Sequence, residues 1–257
     1  MKERKIIYYE DPLHDEFSTA QITPIPIDEN YVYIRTGWFK KLTHFFWYRT
    51  VATPLAFCWL KVHFLHRIKG RKKLKGFRKK GLFLYGNHTQ AVADALIPTM
   101  ISTPQDTYVI VHPNNVSMPV LGKITPSMGA LPLPDNLSAS RNFIRAVQQR
   151  LEEGNAVAIY PEAHIWPYYT GIRPFPDQSF HYPVKFQTPV FCFTNVYRKR
   201  RLIRRPRIVT YVDGPFYPAP GTPAQQRADL REQVYACMTR RSRLSDAVYV
   251  EYRKKET

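Results

Sequence analysis

The sequence predicts an α/β fold, a mostly parallel sheet covered by helices. Three observations carry this reading. Gly81-Leu82-Phe83-Leu84-Tyr85-Gly86 is an unbroken apolar run of strand length, as a buried strand requires. A second run, Gly154 to Tyr160, follows directly on a helical pattern that Gly154 stops, an α-then-β connection of the kind parallel sheets use. Both runs finish in polar residues, Asn87-His88 and Pro161-Glu162, which points to one site at the sheet edge where the strands end.

The elements follow in order. Residues 1–37 form an N-terminal extension of irregular chain or short strands, punctuated by Pro12, Pro24 and Pro26. Residues 38–66 read as a helix pair divided by Pro54, and 67–80 as a basic connector; residues 81–257 make the α/β domain. After strand 81–86 comes a helix near 90–101, a β-rich run Thr107–Val111, and a Pro- and Gly-rich stretch over 113–137. Ser138 or Ser140 is expected to cap the next helix, whose apolar positions Phe143, Ile144, Val147 and Leu151 keep helical spacing. Strand 155–160 follows, then strands near 189–196 and 207–213. Thr222-Pro223-Ala224-Gln225 reads as a capping box with Pro at the first helical position, opening a helix that turns Leu230, Val234 and Tyr235 inward.

At 257 residues, 44% of them apolar, the chain can bury one substantial core. Its three cysteines, Cys58, Cys192 and Cys237, are scattered and odd in number. They form neither a disulfide framework nor a metal box, and no metal is expected. The N-terminus Met1-Lys2-Glu3-Arg4-Lys5 is charged and lacks a signal-peptide core. The apolar run Val51–Leu60 is ten residues long, whereas a spanning helix needs about 20.

Residues 38–65 still stand out. Trp38, Phe39, Phe45, Phe46, Trp47, Tyr48, Phe57, Trp59 and Phe64 alternate with Lys40, Lys41, Arg49 and Lys61. That composition predicts an interfacial, membrane-associating helix pair; the bland reading is two helices packed on the core. Net charge is +18, and it is clustered. Residues 61–80 hold ten Lys or Arg and no acid; a second cluster runs Arg198-Lys199-Arg200-Arg201 and on to Arg204, Arg205 and Arg207. Either cluster suits anionic lipid or a nucleic-acid backbone, or is a solvated basic face. The aromatic segment beside the first cluster favours lipid. No nucleic-acid-binding motif accompanies either, so nucleic acid is the disfavoured partner.

His88 stands just past a strand end with Asp94 a few residues on. A carboxylate in that place can fix the imidazole tautomer and leave the other nitrogen free to take a proton. The blocks Gly86-Asn87-His88-Thr89-Gln90-Ala91-Val92-Ala93-Asp94, Tyr160-Pro161-Glu162-Ala163-His164, Arg173-Pro174-Phe175 with Phe180-His181, and Thr188-Pro189-Val190-Phe191-Cys192-Phe193 occur in order between Gly81 and Tyr197. Together they resemble the glycerolipid acyltransferases, the family of lysophosphatidic acid acyltransferases. Three departures are visible. Five residues separate His88 from Asp94 where the family has four; the second block lacks Gly-Thr; and Gly129-Ala130-Leu131-Pro132-Leu133-Pro134 stands where the family carries an arginine block. Within one regular helix His88 and Asp94 could not pair. They pair if His88 lies in the loop before the helix, or across a bulge.

The resemblance implies acyl transfer from a thioester to a lysophospholipid hydroxyl, most simply 1-acylglycerol-3-phosphate, giving phosphatidic acid. It makes His88 the general base and Asp94 its orienter. Asn87 and Glu162 are expected at the acceptor site. Arg173 is the first candidate for the acceptor phosphate, ahead of Lys123, Arg141 and His164. Backbone N–H groups near Asn87–Gln90, or a helix start, are candidates for the oxyanion. No cofactor is expected beyond the acyl thioester co-substrate, acyl-CoA or acyl carrier protein. The expected location is the cytoplasmic face of the membrane, peripheral or monotopic. Two other classes compete: a metal-dependent hydrolase using His88, Asp94 and His164, and a non-catalytic basic protein binding anionic membrane or nucleic acid.

Overall fold

The computed structural model describes residues 5–17, 22–34, 37–119 and 121–255. Residues 1–4, 18–21 and 35–36 of the N-terminal extension lie outside the described residues, as do the side chains of Lys40 and Lys41. The chain opens with β1 (Lys5–Tyr9) and then α1 (Trp38–Phe45), a π-helical segment (Phe46–Ala52) and α2 (Thr53–Phe64). Next come β2 (Arg67–Lys69), a 3-10 helix (Arg71–Phe77), β3 (Leu82–Gly86), α3 (Ala93–Ser102) and β4 (Thr107–Val111). Short helices α4 (Asn114–Ser117) and α5 (Leu121–Ile124) precede β5 (Ala130–Pro132), α6 (Leu137–Glu152) and β6 (Ala156–Ile159). The chain ends with α7 (His181–Phe186), β7 (Val190–Arg198), β8 (Arg207–Phe216), α8 (Pro223–Ser242) and β9 (Val250–Lys254).

The main sheet has seven strands in the order β2-β8-β7-β3-β6-β4-β5. Strands β3 to β7 run parallel to one another; β8 is antiparallel to β7, and β2 follows β8. A separate two-stranded parallel sheet joins β1 to β9. β3 is central, flanked by β6 and β7, and every residue in it is buried, which is why its sequence is continuously apolar rather than alternating. Successive residues feed opposite faces. Phe83, Tyr85, Val157 and Ile159 meet Phe143, Val147 and Leu151 of α6 and Leu230, Val234 and Met238 of α8. Leu82, Leu84, Ala156 and Ala158 meet Ala56, Leu60 and Phe64 of α2 and Ile97 and Ile101 of α3.

The helix ends follow local chemistry. The α8 capping box is formed by Thr222 and Gln225, with Pro223 in the first turn. α6 is capped by Asn136, whose Oδ1 accepts the Ala139 N–H at 2.8 Å, and not by Ser138 or Ser140; the helix starts a turn earlier than the serines suggest. Gly154 ends that segment at φ +79°, where an added Cβ would lie 2.6 Å from the Lys79 carbonyl oxygen.

Two further expectations are corrected. Pro54 does not split residues 38–66 into two separate helices. The backbone stays helical from Trp38 to Phe64, and the turn ahead of Pro54 widens to π spacing, with the Thr53 N–H bonded to the Tyr48 carbonyl. That widening accommodates a ring that would press on the preceding turn and a residue with no N–H to give. Residues 67–80 are not a plain connector: β2 forms an edge strand on β8, and the 3-10 helix buries Leu74. Three residues of alternating cation and Ile carry too little pattern to announce a strand, and cations suit a sheet edge.

Candidate active site

β3 stops at Gly86, where an added Cβ would fall 2.1 Å from the Phe193 ring of β7. The next residue, Asn87, uses its side chain to continue the ladder. Its Oδ1 accepts the Asn195 N–H at 2.7 Å, and its Nδ2 donates to the Asn195 carbonyl at 3.1 Å. Asn87 is buried, and its side chain is bonded to the backbone of β7.

His88 lies in the loop that follows, and α3 begins only at Ala93, which places Asp94 in its first turn. The five-residue spacing is resolved by this loop, with no bulge. His88 Nδ1 and Asp94 Oδ2 are 2.9 Å apart. The loop closes on the same carboxylate oxygen, which accepts the Thr89 N–H at 2.7 Å and the Gln90 N–H at 2.8 Å, while Asn195 Nδ2 donates to Asp94 Oδ1 at 3.1 Å. Four donors offset the desolvation of a carboxylate that is 1% exposed. The imidazole stacks on Tyr160 with centroids 4.5 Å apart, and among the described residues its Nε2 has no protein partner.

Glu162, at the end of β6, is a clamp. Oε2 accepts the His88 N–H at 2.8 Å and Oε1 the Arg173 N–H at 2.9 Å. Burial pushes its carboxyl pKa upward, and the Arg173 charge and the bonds from His88 and Arg173 offset only part of that. Arg173 is 1% exposed. Its guanidinium donates to the carbonyls of Glu162 (3.0 Å), His164 and Pro12 (3.4 Å) and lies over the Trp166 ring. Its Nη1 and Nη2 donors face the protein's own carbonyls and fix the 162–173 loop, while its buried Nε has no partner among the described residues. His164 is turned away too, with Nδ1 3.0 Å from Glu16 of the N-terminal extension. Lys123 on α5 and Arg141 on α6 are exposed, and among the described residues no contact joins either to the dyad. Nor, among the described residues, is any group of three His, Cys, Asp or Glu side chains arranged to hold a metal ion.

Several site residues escaped the sequence reading. Asn195 lies inside the apolar run of β7; a lone carboxamide amid Phe193, Val196 and Tyr197 was the available signal. Tyr197 accepts the Gln90 Nε2–H at 3.0 Å and donates to Thr89 Oγ1 at 2.8 Å, steadying the loop beneath the dyad. The N–H groups of His88, Thr89 and Gln90, expected as oxyanion donors, are already taken by Glu162 and Asp94.

A histidine held by a buried carboxylate, bare at Nε2 and placed at the carboxyl end of a central parallel strand, is the arrangement that a base-catalysed transfer or hydrolysis in an α/β protein requires. Residues 60–194 match the acyltransferase family, and the chain belongs to that family. No curated protein matches it in sequence. Its fold is similar to the crystal structure of the 1-acyl-sn-glycerophosphate (LPA) acyltransferase PlsC from Thermotoga maritima. The TM-score is 0.53 at 16% identity, over 79% of this chain and 78% of that one.

Proposed function

We propose that this acyltransferase moves a fatty acyl group from a thioester to the hydroxyl of a lysophospholipid, with 1-acylglycerol-3-phosphate as the acceptor and phosphatidic acid as the product. The observation that carries the mechanism is the 2.9 Å contact between His88 Nδ1 and buried Asp94, which leaves Nε2 bare. An alcohol is a weak nucleophile at neutral pH. His88 Nε2 takes the hydroxyl proton as the oxygen attacks the thioester carbonyl, and Asp94 stabilises the imidazolium. The tetrahedral intermediate collapses by breaking the C–S bond, and the departing sulfur takes the proton back from His88. With the N–H groups of residues 88–90 committed and the Asp94 N–H bonded to the Gln90 carbonyl, we assign the oxyanion to the turn that leads into α3 ahead of Asp94. Acyl-CoA or acyl carrier protein serves as the donor; no other cofactor enters.

An amphiphilic acceptor calls for a membrane surface. α2 buries Ala56, Leu60 and Phe64 on the sheet while Leu55, Phe57 and Val62 face outward, and Trp38, Phe39, Phe45 and Phe46 are exposed on the helical turns before it. Trp38 is 76% exposed, which favours an interfacial seat over a purely structural one. The β7–β8 connection adds Leu202 and Ile203, exposed among arginines and tied to α2 through Arg205 Nη1, 2.8 Å from His63 Nε2. No helix among the described residues is long and apolar enough to cross a membrane. We place the protein at the cytoplasmic face, peripheral or monotopic, on anionic lipid.

The test is acyl transfer by the wild type and His88→Ala in detergent micelles. Labelled acyl-CoA and, separately, an acyl carrier protein thioester are offered with a panel of lysophospholipids. Transfer to 1-acylglycerol-3-phosphate that vanishes in the folded variant is expected. Transfer unchanged by the substitution removes His88 as the base, and transfer only to other acceptors removes the substrate assignment.

A further inference from the structure

The dyad does not end at Asp94. Asn195, whose Nδ2 donates to Asp94 Oδ1, places its Oδ1 2.6 Å from Thr210 Oγ1, and Thr210 Oγ1 lies 2.8 Å from His66 Nε2. Asn195 and Thr210 are directly opposed on antiparallel β7 and β8, and Thr210 pairs with Ile68 of β2 on its other side. His66 sits between the end of α2 and the start of β2, its N–H on the Leu60 carbonyl and its own carbonyl taking the Lys61 ammonium at 2.8 Å. All three side chains are buried, Thr210 completely, so protein atoms alone satisfy this chain.

The donors in such a chain are fixed by elimination. Asn195 must turn its nitrogen to Asp94, because an oxygen there would face a carboxylate oxygen. Its Oδ1 then has to accept, so the single Thr210 hydroxyl hydrogen is spent on Asn195. Thr210 Oγ1 is left as the acceptor for His66, which must carry its hydrogen on Nε2. Burial agrees: it lowers the His66 pKa to about 4, with Lys61 adding to the effect, so the ring is neutral near pH 7. Every hydrogen in the run from His66 to Asp94 therefore points at the carboxylate.

We propose that Asn195, Thr210 and His66 are positioning residues for the acyl-transfer reaction, a one-way hydrogen-bond chain that orients the Asp94 carboxylate and through it locks His88 as the Nδ1–H tautomer. This rests on the reading of His88 and Asp94 as the catalytic pair. The chain fixes which Asp94 oxygen faces the imidazole, and it withdraws charge from the other oxygen. Breaking it leaves Asp94 looser and more basic toward His88.

Thr210→Val removes the hydroxyl at nearly constant volume; Thr210→Ser retains it. Asp94, Glu162, Tyr160 and Tyr197 face the His88 loop, and neither substitution alters them. Three readouts apply: kcat against KM for thioester and acceptor, the acid limb of kcat/KM, and the 15N imidazole signals of His66. In Thr210→Val, kcat is expected to fall about tenfold with KM within about twofold. The acid limb moves to higher pH, because a more basic carboxylate stabilises the imidazolium. Thr210→Ser returns both toward wild type. In the wild type, His66 is expected as the neutral Nε2–H tautomer at pH 7, a reading that does not depend on any variant folding. A folded Thr210→Val enzyme with unchanged kcat and acid limb overturns the proposal, as does an Nδ1–H tautomer at His66. If His88→Ala retains activity, the catalytic reading itself has failed. Loss in His88→Ala with no effect in Thr210→Val defeats only the positioning chain.

Discussion

Asp94→Asn is the substitution whose consequences the geometry constrains most tightly. In the wild type Oδ2 accepts from His88 Nδ1 and from the N–H groups of Thr89 and Gln90, and Oδ1 accepts from Asn195 Nδ2. A carboxamide cannot satisfy both sides. With its oxygen toward the loop, its NH2 meets the Asn195 NH2. Turned over, its NH2 meets three donors. The first arrangement is the better one and leaves one donor collision, costing about 1–3 kcal/mol. Three charge-assisted bonds also become neutral ones, at about 1 kcal/mol each. Relief of carboxylate desolvation offsets part of this, for a net loss of about 2–4 kcal/mol. In a chain of this length that lowers the thermal midpoint by roughly 5–15 °C. Asn195 can escape the collision only by turning over, which reverses the donors of Thr210 and His66 as well. The imidazolium also loses its anionic partner, so kcat should fall by about 100- to 10,000-fold. The assay pairs thermal unfolding, followed by tryptophan fluorescence, with acyl transfer at a temperature where the variant is folded. A folded Asp94→Asn enzyme within about threefold of wild-type kcat would refute the assignment of Asp94 as orienter, and an unchanged midpoint would refute the donor accounting.

Three other outcomes are expected. Arg173→Met strands the Glu162 carboxylate, 3.9 Å from the guanidinium, and should destabilise the fold by about 3–5 kcal/mol by urea unfolding; a folded, equally stable variant with a raised acceptor KM would return Arg173 to the phosphate. Stability should decline in two acid steps. Buried His66, at about 4 when folded against 6.5 unfolded, takes up its proton more readily in the unfolded chain, so stability is lost as pH falls from about 6.5 through 4, and His66→Gln removes that step. Burial pushes Asp213 up, but the bonds from Arg241 and Lys73 outweigh it and hold the group at about 2; its contribution is lost as pH falls from about 4 through 2, and Asp213→Asn flattens that limb. Replacing Leu202 and Ile203 by Asp should weaken co-sedimentation with phosphatidylglycerol-containing vesicles at least about tenfold without changing the thermal midpoint, and unchanged sedimentation would remove the β7–β8 connection from the membrane face.

The sheet was legible in the sequence because buried parallel strands leave a strong trace. Leu82 to Gly86 and Ala156 to Ile159 have no polar face to interrupt them, and both appear as continuous apolar runs ending in the site. The contact between His88 and Asp94 was legible for a related reason: His88 comes two residues after such a run, and Asp94 is the next carboxylate along the chain. What the sequence hid was direction. Glu162 and Arg173 look like ligands when read as isolated charges, and only the fold turns Arg173 inward onto the carbonyls of residues 162 and 164. Asn195, Thr210 and His66 lie 15 to 144 residues apart along the links that join them, and no local period marks residues that meet only across three strands. Edge strands β2 and β9 were missed because their few residues carry cations rather than an apolar pattern.

The site's rigidity and the direction of its chemistry have one source. A carboxylate this deeply buried is tolerable only if its lone pairs are filled, and here they are filled from two places: the loop after β3, which supplies His88, Thr89 and Gln90, and the interior of β7. Each of those groups is held by a further bond. Tyr197 steadies Thr89 and Gln90, Asn87 grips the Asn195 backbone, and Glu162 fixes the His88 N–H. Burial of the carboxylate obliges the surrounding residues to present donors, and the ring nitrogen that faces Asp94 is the one that carries the His88 hydrogen, Nδ1. The bare Nε2 follows from satisfying a buried charge, and the same requirement explains why so many polar side chains converge at the end of a strand that is otherwise wholly apolar.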